Sequence, residues 1–259
     1  MTVPLVTLLT DFGAGSGYPA QMKAVILSAA PGAVIVDVSH DVPAYDVLAG
    51  ALLLEACVPW FPPEAVHCAV VDPGVGTSRL PVAVVDASGR RFVGPDNGLF
   101  TPFLGPGSTT YELSRPVGAP STRSATFHGR DLFAPVAAWL ACGGDPARLG
   151  PTVDAPARLR WPSARRDGDR LEGECLSVDA FGNVVTSILA SDLGPPPREV
   201  TVAVAGSPAR FVTAFGEGRP GELLALIGSS GRLEIAMREA DAARARGLAR
   251  GVPVVVRFG

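Results

Sequence analysis

The near-continuous apolar run from Val3 to Leu9, closed by Thr10-Asp11-Phe12-Gly13, is the feature that most constrains the architecture. A strand that is apolar on both faces needs cover on both, as a parallel strand flanked by helices has. Met22, Val25, Ile26 and Ala29 follow at helical spacing, stop at Pro31-Gly32, and give way to a second strand-like run from Ala33 to Val38. This is a βαβ unit. The pattern recurs: Val47, Ala51, Leu54 and Val58 mark a helix face, and Ala65 to Val71 and Val82 to Val85 read as strands. A last helix of this half spans about Asp131 to Cys142, with Leu132, Phe133, Val136 and Leu140 on one face and Asp131 placed to cap its start. A parallel-rich sheet covered by helices is the economical solution.

From Gly150 to Asp169 the periodicity is lost among Pro151, Pro156, Pro162 and the run Arg165-Arg166-Asp167, which reads as a linker. Beyond it come short β-rich runs, Glu172 to Ile188, Glu199 to Val204, Arg210 to Ala214, Leu223 to Ile227, Leu233 to Ala236 and Val252 to Phe258. Arg238 to Arg250 has a helical composition. The expected organisation is an N-terminal α/β domain over residues 1–150, a linker over 151–169, and a smaller C-terminal antiparallel β-barrel or sandwich over 170–259.

Lys+Arg 22 against Asp+Glu 25 leaves a formal charge of -3, which argues against a nucleic-acid or anionic-membrane partner. The longest apolar stretch, Val47 to Pro59, is interrupted by Glu55 and falls short of the roughly 20 residues that cross a bilayer. Met1-Thr2-Val3-Pro4 lacks a basic n-region, so a cytoplasmic protein is expected. Cys57, Cys68, Cys142 and Cys175 form no C-x-x-C pair, so neither a zinc site nor a redox dithiol is expected.

Several loops carry chemistry-bearing residues. Gly13-Ala14-Gly15-Ser16-Gly17 lies between strand and helix with Asp37 about 20 residues on, but Tyr18 stands where a dinucleotide fingerprint needs its third glycine. Asp11, at the C-terminal end of a parallel strand, is placed either to accept both hydroxyls of a ribose or to cap its turn. In Asp72-Pro73-Gly74-Val75-Gly76-Thr77-Ser78-Arg79 an acid and an arginine seven residues apart either pair across a tight turn or leave the Asp bonded to its own turn. His128, in Phe127-His128-Gly129-Arg130-Asp131, is the histidine best placed for catalysis, whereas His40 and His67 lie in or beside strands and read as structural. Asp179-Ala180-Phe181-Gly182-Asn183 reads as a binding loop or a tight hairpin. Gly228-Ser229-Ser230-Gly231 offers hydroxyls and amides suited to a carboxylate.

Taken in order, Leu9-Thr10-Asp11-Phe12-Gly13, Asp37-Val38-Ser39-His40, Val71-Asp72-Pro73-Gly74-Val75-Gly76, Val93-Gly94-Pro95-Asp96-Asn97-Gly98, Phe127-His128-Gly129-Arg130-Asp131 and Asp179-Ala180-Phe181-Gly182-Asn183 resemble one family over nearly the whole chain. It is the S-adenosylmethionine (SAM) hydrolases that form adenosine, also called SAM hydroxide adenosyltransferases, relatives of the fluorinating and chlorinating SAM enzymes. The resemblance implies attack of water or hydroxide on the ribose C5′ carbon, giving adenosine and L-methionine without a metal or added cofactor. It also implies a homotrimer with active sites between neighbouring subunits.

Carried over by position, the family's catalytic set falls on Asp72, Arg79 and His128. Asp11 would hold the ribose diol and Tyr45 would line the ribose and methionine side. Asp179, Ser229 and Ser230 would hold the amino-acid end, and Phe181 and Asn183 would serve the adenine. The chain departs from the family's usual pattern at Ser16-Gly17-Tyr18, at Ser187 and at Met237-Arg238-Glu239. Two rival functions remain, a halide-dependent SAM transferase, which would form 5′-halo-adenosine, and a non-catalytic SAM or adenosine binder, which would convert nothing; the intact Asp72, Arg79 and His128 set, which the halogenating relatives lack, argues against both.

Overall fold

The computed structural model describes residues 3–115, 117–118, 124–194 and 200–259. Met1 and Thr2, and Glu199 at the head of one expected strand, lie outside them. The chain divides into two compact units, Met1–Trp161 and Pro162–Gly259. The segment 151–161 packs with the first: Thr152 bridges to Tyr111, and Val153, Leu159 and Trp161 lie against its core.

The first unit is built on β1 (Leu5–Thr10), α1 (Tyr18–Ala29), β2 (Val34–Ser39), α2 (Val47–Cys57), β3 (Val66–Val70), β4 (Pro81–Val85), β5 (Arg91–Pro95), β6 (Thr109–Glu112) and α3 (Ala134–Ala141). The sheet order is β2-β1-β3-β5-β4-β6. The first four strands run parallel, and β4 is antiparallel to both β5 and β6. Period-two alternation assigns the two faces. Val6, Leu8, Val66, Cys68 and Val70 pack with α1 and α3, whereas Leu9, Ala69 and Val71 pack on the other face with Ala51 and Leu54 of α2.

The chain leaves β1 toward β2 on one side and returns to β3 on the other, so the order reverses between β1 and β3. Open α/β sheets bind ligands at that crevice, beyond the C-terminal ends of the strands. Asp11 follows β1 there and Asp72 lies two residues past β3.

The final helix of this unit differs from the sequence expectation. Gly129–Phe133 is a π-turn running into α3, and Asp131 sits inside it rather than at a cap. Its carboxylate is taken up by the Ser124 N–H (2.8 Å) and a two-pronged contact from Arg130. The two other histidines are structural. Thr7 Oγ1 pairs with His67 Nδ1 (2.8 Å) and Thr10 Oγ1 with His40 Nδ1 (2.9 Å). Burial drives the pKa of His67 down to about 4, which keeps it neutral.

The second unit comprises β7 (Arg165–Asp167), β8 (Arg170–Val178), β9 (Val184–Leu189), α4 (Ala190–Leu193), β10 (Val200–Val204), β11 (Ser207–Phe211), β12 (Leu223–Ile227), β13 (Arg232–Met237), α5 (Ala242–Arg246) and β14 (Pro253–Phe258). The sheet closes, because β14 pairs with both β10 and β8, giving a seven-strand barrel with β7 appended to β8. Of the two expected alternatives, barrel and sandwich, it is the barrel. All pairings are antiparallel except β11 with β12. Its interior is filled by Leu171, Cys175, Val184, Ile188, Val202, Val204, Leu233, Ile235, Val254 and Val256. The helical stretch expected from Arg238 to Arg250 is confined to α5, capped by the Asp241 carboxylate on Arg244 N–H (2.7 Å) and ended at Gly247 in the left-handed region. Among the described residues, no helix is long and apolar enough to cross a membrane.

Candidate active site

The loop after β3 turns back on itself within one short span. Val75 N–H donates to Asp72 O, and Thr77 donates to Gly74 O from both its N–H (3.1 Å) and its Oγ1 (2.7 Å). Gly76 makes this possible: its φ is +78°, and a Cβ there would stand 2.9 Å from Ala125 O. The turn therefore satisfies itself through main chain and Thr77, and the Asp72 side chain goes elsewhere. Arg79 donates from Nε to Asp72 Oδ1 (2.9 Å) and from Nη2 to Oδ2, a two-pronged pair in which the carboxylate is 5% and the guanidinium 9% exposed. This resolves the two readings of Asp72 in favour of pairing.

Arg79 Nη2 also donates to His128 Nδ1 at 3.0 Å, so residues 72, 79 and 128 form one connected set. A guanidinium only donates, so Nδ1 must be the acceptor, and the proton of the neutral ring sits on Nε2. His128 thus presents an N–H donor away from Arg79 rather than a free base. The π-turn that follows places Phe133 under the Arg79 guanidinium (5.3 Å to the ring centroid) and edge-on to the His128 ring (6.4 Å). Phe133 is fully buried, so this platform is fixed.

Asp11 and Tyr45 are also brought together. Asp11 Oδ2 accepts the Tyr45 N–H at 2.9 Å, and Tyr45 has a positive φ of 66° with a largely exposed ring. A non-glycine residue held in this region stores strain of about 1–3 kcal/mol, a common mark of a functional loop.

In the barrel unit, the β8–β9 hairpin carries Asp179, Phe181 and Asn183. Asp179 Oδ1 accepts the N–H groups of Phe181 (2.8 Å) and Asn183 (2.9 Å), and Oδ2 accepts Asn183 Nδ2 (2.9 Å). Gly182 sits at φ +82° with a would-be Cβ 2.2 Å from Asp241 Oδ1, so only glycine fits. The result is a stiff loop that pushes the Phe181 ring out, 80% exposed.

Phe181 and Asn183 line a cleft of about 370 Å3 together with Phe215, Gly216, Met237, Arg238 and Glu239. Ser229 and Ser230 lie in the β12–β13 turn, and the Ser230 Oγ is buried without a partner among the described residues. That turn and the hairpin are neighbours. Gly228 abuts the Glu234 carboxylate, and burial first, then the charge of Asp179, push the pKa of Glu234 up.

Residues 6–150 match the model of the SAM hydroxide adenosyltransferase N-terminal domain and residues 173–255 that of the C-terminal domain. The chain belongs to this family. Among its curated relatives, an (R)-S-adenosyl-L-methionine hydrolase of Thermus thermophilus is 42% identical, the match covering 96% of this chain and 98% of the relative. A protein of the same name from Salinispora tropica is 41% identical over 96% and 95%. A fluorinase of Nocardia brasiliensis is more distant, at 27% identity over 99% and 97%. The crystal structure of an uncharacterized conserved protein from Thermotoga maritima superposes with a TM-score of 0.90 at 34% identity, covering 97% of this chain and 99% of that one.

In this SAM hydroxide adenosyltransferase family member, Phe215 lines the barrel cleft without having been singled out from the sequence, whereas Met237 and Arg238 were noted only as a departure from the family's pattern. Phe215 reads in the sequence as an ordinary apolar residue, and nothing local reveals that the barrel brings it beside Phe181. Arg238 is held by the carbonyls of Gly216 (2.7 Å) and Gly218 (2.9 Å), contacts with residues some 20 positions away. Asp96, inside a motif already noted, is half-buried, and its pKa is pushed up by burial and pulled back by the Ala157 N–H and the Arg79 charge. The signal available was the Asp-Asn-Gly following an apolar strand, which marks a turn as readily as a site.

Proposed function

We propose that the chain hydrolyses S-adenosyl-L-methionine to adenosine and L-methionine. The observation that carries this reading is the buried Asp72–Arg79–His128 set at the sheet's switch point, in a chain whose relatives at 40–42% identity are named for that hydrolysis. The oxygen of water bonds to C5′, the C5′–S bond breaks with its electron pair going to sulfur, and one proton is released. A sulfonium leaves as a neutral thioether, so the leaving group needs no metal and no added cofactor. What remains for the protein is alignment and desolvation.

A carboxylate is far too weak a base to take a proton outright from water. Asp72 therefore aligns the nucleophile. Each of its oxygens gives one lone pair to Arg79 and keeps another for a water proton. His128 Nε2–H donates to the nucleophile's oxygen, and the positive sulfur stabilises the hydroxide character that builds there.

In this reading Asp11 and Tyr45 take the ribose, and Asp179, Ser229 and Ser230 take the amino-acid end. The cleft between the Phe181 and Phe215 rings takes the adenine, with Asn183 on its polar edge. Base stacking on one aromatic ring is worth about 1–3 kcal/mol. Phe181→Ala is expected to raise KM for SAM roughly tenfold or more with kcat little changed, read from initial rates. The assembly that goes with the reading is a homotrimer with active sites between neighbouring subunits, which sedimentation velocity tests. The four free thiols fit a reducing cytoplasm.

The deciding experiment is incubation of purified protein with SAM in halide-free buffer and identification of the nucleoside. Adenosine and methionine in equal amounts are expected. A 5′-halo-adenosine formed only when chloride is supplied would establish the transferase instead, and binding by calorimetry without conversion over hours would establish a sensor.

A further inference from the structure

Arg79 holds more donors than its two catalytic neighbours use. Nε and Nη2 serve both oxygens of Asp72, and Nη2 also reaches His128 Nδ1. Nη1 is buried and has no hydrogen-bond partner among the described residues. A buried cationic nitrogen with unused N–H groups calls for an acceptor.

The fold sets one beside it. β4 and β5 run antiparallel with Pro81 opposite Pro95, and Asp96 N–H donates to Leu80 O at 2.9 Å, so Asp96 stands next to the residue that follows Arg79. Its Oδ1 accepts the Ala157 N–H at 2.8 Å, which fixes the carboxylate. Asn97 Nδ2 donates to Val71 O at 2.8 Å, tying the same turn to the peptide just before Asp72. Burial pushes the pKa of Asp96 up, and the Ala157 N–H and the nearby Arg79 cation pull it back, with no direct hydrogen bond between Asp96 and Arg79 among the described residues.

We propose that Asp96 is a positioning residue for the hydrolysis: through one bridging solvent molecule it is the second carboxylate of Arg79, bound at Nη1, and it holds the guanidinium in the plane that grips Asp72 and faces His128. The inference rests on the function proposed above and adds to it a residue outside the Asp72–Arg79–His128 set. With Nη1 anchored, the planar guanidinium cannot turn about its Cδ–Nε bond, so the Asp72 oxygens stay in register with the line of attack on C5′.

Asp96→Asn tests this, because an amide keeps an oxygen for the Ala157 N–H while removing the charge, and Asp96→Ala removes both. Both variants are expected to lose kcat by about 10- to 100-fold, the effect of groups that orient a reactive ligand, with KM within about twofold. A residue that only caps Ala157 would be rescued by asparagine, so wild-type kcat in Asp96→Asn overturns the proposal. A high-resolution crystal structure of the wild-type protein is expected to show a solvent molecule within hydrogen-bond distance of both Arg79 Nη1 and the Asp96 carboxylate. A carboxylate turned away from Arg79 overturns it as well. Should the wild-type protein release no adenosine from SAM, the proposed function falls by itself, and that crystal structure still decides whether Asp96 is the partner of Arg79.

Discussion

Asp72→Ala is expected to lower adenosine release from SAM by on the order of 10³-fold or more while leaving SAM binding largely intact. In the proposed mechanism the carboxylate contributes only at the moment of attack, when it fixes the direction and hydrogen bonding of the incoming oxygen, so its loss falls on kcat. Removing one preorganised partner of a developing charge in a dry site commonly costs 10²- to 10³-fold, and here the partner also directs the nucleophile. Truncation strips the buried Arg79 guanidinium of its direct ion pair, which destabilises the fold in its own right. Asp72→Asn is the companion variant, since it keeps the shape and an acceptor for Arg79 but not the charge. Single-turnover assays with calorimetric binding separate the two effects, and full turnover by either variant would contradict the assignment.

Arg79→Met is expected to produce the largest loss of stability of any single change at the site. The substitution strips both prongs from a carboxylate that is 5% exposed, leaving a buried charge without compensation, a situation that costs about 3–5 kcal/mol. It also frees the Nδ1 lone pair of His128, so the imidazole loses the contact that fixes its tautomer. Arg79→Lys does not restore the arrangement. A single ammonium can replace neither the paired Nε and Nη2 contacts nor the stacking over Phe133. Chemical denaturation of both variants, with adenosine release measured well below their midpoints, distinguishes misfolding from loss of alignment. Native stability in Arg79→Met would show that Asp72 is solvated in solution.

Much of the first unit could be read in the sequence because its strands are apolar on both faces and its crossovers end at clear breakers, Pro31-Gly32 among them. The pairing of Asp72 with Arg79 was legible as a possibility from seven-residue spacing around a Pro-Gly turn. Sequence could not choose between that pair and a self-capped turn, because the deciding fact is that Thr77 and the main chain already satisfy the turn. The π-turn after His128 was invisible: one extra residue in a helical turn leaves the apolar spacing of Leu132, Val136 and Leu140 almost unchanged. Asp131 looked like a cap for the same reason. The antiparallel direction of β4 was equally hidden, since a short buried strand carries no mark of its orientation. In the barrel, Phe181 announced itself by its place in a polar hairpin. Phe215 did not, because only strand closure brings it near.

The β14 pairings with β8 and β10 bear on how the C-terminal unit comes apart. A cylinder has no selvedge from which to unravel: peeling any stave breaks two ladders at once, so there is no cheap partial opening. Amide protons in the seven staves should therefore exchange with deuterium as a block, sharing one opening free energy, while those of the appended Arg165–Asp167 ribbon trade freely. The Phe181 hairpin carried on such a ring stays aligned until the whole ring lets go.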